Sequence, residues 1–250
     1  MFAQYRVVKP SDCLVLPDGI SARQGASAII NPLTVLGMVE TMRREGHSAL
    51  IHTAAASNVG QMLNRVCLMD GIPLVNIVRS PTQAEDLRLL GAKHVLDSSS
   101  ATFRRNLVGA LEETGATLAF DAIGGGTMAG TIVAAMEEAL GAKAASFSRY
   151  GSPVHKQVYI YGMLSPGPRI LEGNLGMAWG VSGWLMTWFY GKIDSATAQR
   201  LRDRVTNELT STFASQYTSE ISLADALSPE IIAAYSRRAT GEKFLMRPNG

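Results

Sequence analysis

Two short patterns in this 250-residue chain have the residue types and spacing to hold a nucleotide. Leu50–Thr53 is a β-rich apolar segment that runs through Ala54-Ala55-Ala56-Ser57-Asn58-Val59-Gly60 into a helical pattern. Small side chains let a backbone approach phosphate oxygens, and the helix that follows offers unpaired N–H groups and the positive end of its dipole. Of the G-x-G-x-x-G spacing usual in such turns, only Gly60 remains. About twenty residues further on, a dinucleotide fold meets the adenosine ribose, and an Asp or Glu there selects a free 2′-hydroxyl. Here the strand ends Val78-Arg79-Ser80, with no carboxylate. Arg79 can set a delocalised cation against a 2′-phosphate, and Ser80 can add a hydroxyl. The competing reading is a solvated Arg79 paired with Glu85 or Asp86; the offset from the turn favours the phosphate, hence NADP(H).

Two further strand ends carry open alternatives. Asp121 and Gly124-Gly125-Gly126 lie where a fourth parallel strand delivers its end to a cofactor crevice, and the glycines read as backbone contact or as an ordinary strand-to-helix turn. Tyr161-Gly162-Met163 poses the same choice: backbone facing a nicotinamide, or a core aromatic and its turn. His47, His52, His94 and His155 are scattered without H-x-x-x-H or a Cys/His cluster, so no metal site is expected. Neither a G-x-S-x-G elbow nor a carboxylate pair supports hydrolysis. No catalytic residue is assigned.

The elements that must position these residues alternate in type. Apolar runs at 49–53, 73–78, 94–96, 117–121 and 157–161 read as strands, and amphipathic stretches at 58–70, 83–90, 102–113 and 128–140 read as helices between them. That alternation predicts an α/β fold, a doubly wound parallel sheet with helices on both faces. The triple glycine is read as the turn into helix 128–140. Residues 194–212 read as a helix capped by Asp194 or Ser195. Ser222–Leu227, a helix start at Ser228-Pro229-Glu230 and a strand at 243–246 differ in character from the repeat before them.

Composition narrows the function. A net charge of +2 without a dense Lys/Arg cluster argues against nucleic acid as a partner. Two cysteines are too few for a disulfide framework and fit a reduced interior. The absence of a signal-like N-terminus makes the cytoplasm the expected location. Residues 173–190 lack charge, but four glycines, Asn174 and three tryptophans speak for a buried or interface helix rather than a membrane span.

Several segments together resemble the medium-chain dehydrogenase/reductase superfamily, in its zinc-independent quinone-oxidoreductase and enoyl-reductase branches. They are 13–21, Asn31-Pro32-Leu33-Thr34, Ala54–Gly60, Leu90-Gly91-Ala92-Lys93, Phe120–Gly125 and Ala239-Thr240-Gly241-Glu242-Lys243. The resemblance implies a Rossmann domain over 29–211, with remnants of a GroES-like catalytic domain at both termini, 1–28 and 212–250. It implies that most of the first domain is missing, with 1–5 as that domain's last strand. By position it places Ser57, Asn58 and Val59 on the pyrophosphate, Arg79 on the 2′-phosphate, Asn31 and Thr34 beside the nicotinamide, and Ile123 and Tyr161–Met163 as strand-end contacts to the cofactor. It implies hydride transfer from NADPH to a small electrophile, a quinone or α,β-unsaturated carbonyl, in a homodimer covered near Trp179, Trp184 and Trp188. The alternatives are a non-catalytic NADPH-binding fragment or sensor and a zinc-type alcohol dehydrogenase relative.

Overall fold

The computed structural model describes residues 3–237 and 240–249. In chain order, a 3-10 turn (Pro10–Asp12) precedes α1 (Ala22–Gly25), α2 (Ile30–Arg44), β1 (Leu50–His52), α3 (Asn58–Asp70), β2 (Leu74–Val78), α4 (Pro81–Leu89) and β3 (His94–Asp97). Then come α5 (Phe103–Thr114), β4 (Leu118–Asp121), β5 (Gly124–Gly126), α6 (Met128–Ala142), β6 (Lys156–Ile160), β7 (Ser165–Arg169), β8 (Trp179–Gly183) and α7 (Met186–Tyr190). The chain ends with α8 (Ser195–Asn207), β9 (Ser219–Ser222), a 3-10 turn (Asp225–Leu227), α9 (Pro229–Ser236) and β10 (Phe244–Arg247). It divides into two compact units, Thr34–Ile193 and the two ends together, up to Leu33 and from Asp194.

The larger unit is built on a six-stranded sheet in the order β3-β2-β1-β4-β6-β8, every pair parallel. From β1 the chain winds outward to β3, then returns to β4 and winds the other way. The strand order therefore reverses between β1 and β4, and ligands of open parallel sheets bind outside the carboxyl ends at such a point. On one face Ile51, Val75, Ile77, Ala119 and Val158 pack with Phe103, Leu107 and Leu111 of α5 and Ile132, Val133 and Met136 of α6. On the other, Phe120 stacks on Tyr159 at 5.6 Å and meets Trp184 edge-on at 5.4 Å. Trp184 donates its indole N–H to Thr41 of α2 at 3.2 Å.

Three expectations change. Residues 173–190 form the edge strand β8 and the five-residue α7 rather than one helix. Gly173, Gly176, Gly180 and Gly183 are poor helix formers, whereas Trp179 and Val181, two apart, both pack on the α5/α6 core. Trp179 and Trp184 thus find cover inside the unit, and of the three tryptophans only Trp188, 69% exposed, does not. The triple glycine is not a turn: it is β5, paired with β7. Within the segment read as a strand at 1–5, Ala3–Tyr5 has no strand pairing, and Met1 and Phe2 lie outside the described residues, as does Ala239.

In the end unit, β9 and β10 pair in parallel, Ser219 with Phe244 through Ser222 with Arg247. Asp194 caps α8 by accepting from the Thr197 N–H at 2.7 Å, and Ser228 caps α9. Helix α8, which the sequence reading kept with the Rossmann domain, belongs to this unit. Among the described residues no helix is long and apolar enough to cross a membrane.

Candidate functional site

The residues after β1 form a tight turn. Ala54 takes the left-handed conformation at φ 50°, the one non-glycine residue to do so among those described. Ser57 is extended (φ −65°, ψ 164°), and its hydroxyl accepts from the Gly60 N–H at 3.2 Å, capping α3. A serine therefore serves at this position of the turn: the backbone there needs no positive φ, and the side chain satisfies a helix-start donor. Gly60 is different, because a Cβ on it would lie 2.1 Å from the Ala55 carbonyl oxygen. Ser57, Asn58 and Val59 are half-buried at the lip of this turn, and Asn58 and Val59 open the helix.

After β2, Arg79 is exposed and Ser80 caps α4, accepting from the Gln83 N–H at 3.3 Å. The Arg79 guanidinium makes no ion pair among the described residues, and Glu85 lies instead 3.7 Å from Arg88. The solvated pairing weighed against phosphate binding is thus not the one adopted.

The ends of β4 and β6 are tied together and to β1. Asp121, 1% exposed, accepts from the Thr53 hydroxyl at 2.6 Å, the Ile123 N–H at 3.0 Å and the Gly124 N–H at 3.0 Å. Thr53 in turn accepts from the Ala122 N–H at 2.8 Å. Tyr161 donates its backbone N–H to the Asp121 carbonyl at 3.0 Å, and a Cβ on Gly162 would come within 2.7 Å of the Ala122 oxygen. Ile123 is half-buried and Met163 is exposed on the same rim. Asp121 is accordingly the fastener of the turn. Gly162 is glycine because two strand-end backbones touch.

Sequence reasoning passed over His52. It is the last residue of β1 and fully buried; its Nε2 lies 2.7 Å from the Tyr161 hydroxyl, and the two rings stack at 5.7 Å. A polar residue closing an otherwise apolar strand just before a small-residue turn was the available signal. Burial holds the His52 imidazole neutral, moving its pKa from 6.5 down to about 3, and burial, with the Asp121 charge second, pushes the Tyr161 phenol up. Because the folded pKa lies below the unfolded one, the unfolded chain binds a proton first as pH falls through 6.5, so this stabilisation is present above pH 6.5 and is lost on acidification. Urea unfolding at pH 4.5 should give about 2–3 kcal/mol less stability from His52 alone than at pH 7.5. The His52→Gln variant should lack that component, and an equal pH slope in both proteins would refute the assignment.

Of the residues implied for the nicotinamide side, Thr34 is buried on α2 within the larger unit, and Asn31 lies on the first turn of α2, in the end unit. Among the described residues no three His, Cys, Asp or Glu side chains group as metal ligands.

No protein-family profile matches the chain. A Pseudomonas aeruginosa quinone oxidoreductase is 25% identical over 124 residues, 49% of this chain and 38% of that protein. The mitochondrial enoyl-[acyl-carrier-protein] reductase of Arabidopsis thaliana is 31% identical over 107 residues, 40% and 28% of the two. Across the whole fold, a Mesorhizobium loti protein provisionally named an NADPH:quinone reductase superposes with TM-score 0.78 and 22% identity, covering 95% of this chain and 64% of its own. The chain is thus similar, over 40–49% of its length, to a quinone oxidoreductase and an enoyl reductase, and it shares its fold with solved reductases. Two Etr1p structures share the fold: the NADP/crotonyl-CoA complex (TM-score 0.63, 17% identity, 93% and 63% coverage) and the Candida tropicalis Etr1p/Etr2p heterodimer (TM-score 0.61, 17%, 90% and 62%). The matches to the two curated relatives span well under half of their lengths.

Proposed function

We propose that the larger unit binds NADPH across the carboxyl ends of β2, β1, β4 and β6, and that the protein is the nucleotide-binding part of a reductase acting on a quinone or an α,β-unsaturated carbonyl. The carrying observation is Arg79: an exposed guanidinium without an ion pair among the described residues, beside a capping serine, at the strand end where NAD-selective folds place a carboxylate. A 2′-phosphate supplies the missing counter-charge through a charge-assisted, bidentate contact. The turn after β1 suits the pyrophosphate, since Ala54–Ala56 carry nothing larger than a methyl group and lead into the start of α3. Asp121, Thr53 and Gly162 keep the β4 and β6 rim rigid, which is what orientation of a nicotinamide ring requires.

When bound, the cofactor supplies the hydride. This chain's part is to hold the adenosine phosphate at Arg79 and Ser80, seat the pyrophosphate at Ser57, Asn58 and Val59, and present the strand-end backbone of Ile123 and Tyr161–Met163. The names of the curated relatives and the NADP complex of Etr1p support this reading. The Etr1p/Etr2p pairing and the exposed Trp188 support assembly as a dimer.

A fluorescence titration with NADPH and NADH tests it. NADPH should bind more tightly, and Arg79→Ala should cost about 1.5–3 kcal/mol, roughly one to two decades, in NADPH affinity while leaving NADH unchanged. Equal affinities in the unaltered chain would reject Arg79 as a 2′-phosphate reader.

A further inference from the structure

A row of buried polar side chains runs from α3 through β2 to the end of β1. Asn64 of α3 donates its amide to the Leu90 carbonyl at 3.2 Å, which turns its own oxygen toward Asn76. Asn76 of β2 donates to that oxygen at 3.4 Å, so its Oδ1 faces away from Asn64. Neither Asn76 Oδ1 nor His52 Nδ1 has a protein partner, although both side chains are fully buried. These two residues are register partners on adjacent parallel strands, so their side chains project from the same face, about 5 Å apart. Buried polar atoms seldom go unpaired, and a water that donates to Asn76 Oδ1 and accepts from His52 Nδ1–H continues the direction of the Asn64–Asn76 bond and pairs both.

That arrangement puts the His52 proton on Nδ1. With the proton on Nδ1, His52 Nε2 is an acceptor, and its one neighbour is the Tyr161 hydroxyl. In that tautomer Tyr161 donates inward. Its backbone is on the β6 rim and its ring reaches past the end of β4 to β1, across the point where strand order reverses, and the residue remains partly exposed there. A phenol whose proton is spent inside the protein can offer a ligand only lone pairs.

We propose that the Tyr161–His52–water–Asn76–Asn64 row makes the Tyr161 oxygen an acceptor-only contact in the crevice, selecting a ligand group that carries N–H, such as a carboxamide, over a carboxylate of the same shape. The identity of that ligand as a nicotinamide dinucleotide rests on the function proposed above. The row itself does not.

Two measurements separate these layers. In ligand-free ¹⁵N-labelled protein at pH 7, with His52 assigned by the His52→Gln difference, the ring should show a protonated Nδ1 and a bare Nε2. The Asn76→Leu variant should lose that bias. An Nε2–H tautomer in the unaltered chain would overturn the row. Binding is then compared for NADP⁺, its nicotinic-acid analogue and 2′,5′-ADP, which lacks the nicotinamide half. The amide should bind about tenfold or more tightly than the carboxylate, and Tyr161→Phe should cut that preference to about threefold or less without altering 2′,5′-ADP binding. No preference in the unaltered chain, with 2′,5′-ADP still binding, would overturn the acceptor role while sparing the cofactor reading. Failure of all three to bind would overturn both the cofactor reading and the ligand selection drawn from it, leaving the tautomer to judge the row alone.

Discussion

Replacing Lys156 with methionine is expected to lower the unfolding free energy by about 3–5 kcal/mol, the cost of stranding a buried charge. The lysine is at the start of β6 with its side chain wholly buried, and its ammonium lies 2.6 Å from Glu137 Oε2, itself only 6% exposed. The other carboxylate oxygen accepts from the Ser152 N–H at 2.8 Å. Gly151 and Gly176 press against the same carboxylate: a Cβ on either would come within 2.3 Å and 2.5 Å of its oxygens. Glu137 is therefore encased by backbone with one cation to balance it, and removing that cation leaves a charge that neither water nor a side-chain rotation can reach cheaply. The pair as a whole is a different matter. Desolvation consumes most of what two buried charges gain from each other, so Glu137→Leu combined with Lys156→Met should recover most of the loss, short of the Ser152 N–H left without its acceptor. Urea denaturation of the two single variants and the double closes the cycle. A single-variant cost under about 1 kcal/mol would mean that solvent reaches the pair.

That ion pair also shows where reading from sequence stops. Periodicity located α3 over its full span, because Val59, Met62, Leu63, Val66 and Cys67 repeat at helical spacing between a serine cap and Gly71. Strands β1 to β4 and β6 came through for a related reason: a fully buried parallel strand is a short apolar run bounded by turn residues. By contrast, β5 and β7 are Gly-Gly-Gly and Ser-Pro-Gly-Pro-Arg, compositions that signal turns, and they pair because glycine permits a close backbone approach that no local pattern encodes. Glu137 and Lys156 are 19 residues apart, and His52 and Tyr161 are 109 apart. Such partners become neighbours only once the strand order is known. Tyr161 was noticed for its strand end. Its role depends on a histidine two strands away.

The turn after β1 yields the other large expected effect, and it bears on why an incomplete glycine motif still folds. Gly60→Ala should destabilise the chain by about 3 kcal/mol or more, at or above the upper end of ordinary overpacking. The added Cβ would sit 2.1 Å from the Ala55 oxygen and 2.5 Å from its carbonyl carbon, and backbone atoms cannot rotate away as a side chain can. Relief requires α3 to lift from the turn, which breaks the Ser57 cap on the Gly60 N–H, worth about 1 kcal/mol, and disturbs the bond from the Ala55 N–H to the Ile77 carbonyl at 3.1 Å that anchors the turn to β2. Ser57→Gly, which restores a more usual residue, should cost only a few tenths of a kcal/mol, because Ser57 already has an extended backbone and glycine is itself a tolerated cap. The contrast is the test. If thermal or urea unfolding places Gly60→Ala within about 1 kcal/mol of the unaltered chain, helix and strand are not in the close contact seen here. If Gly60→Ala is severe and Ser57→Gly silent, close packing of α3 on the Ala55 backbone is the demand that requires glycine at position 60, and position 57 is free to carry serine.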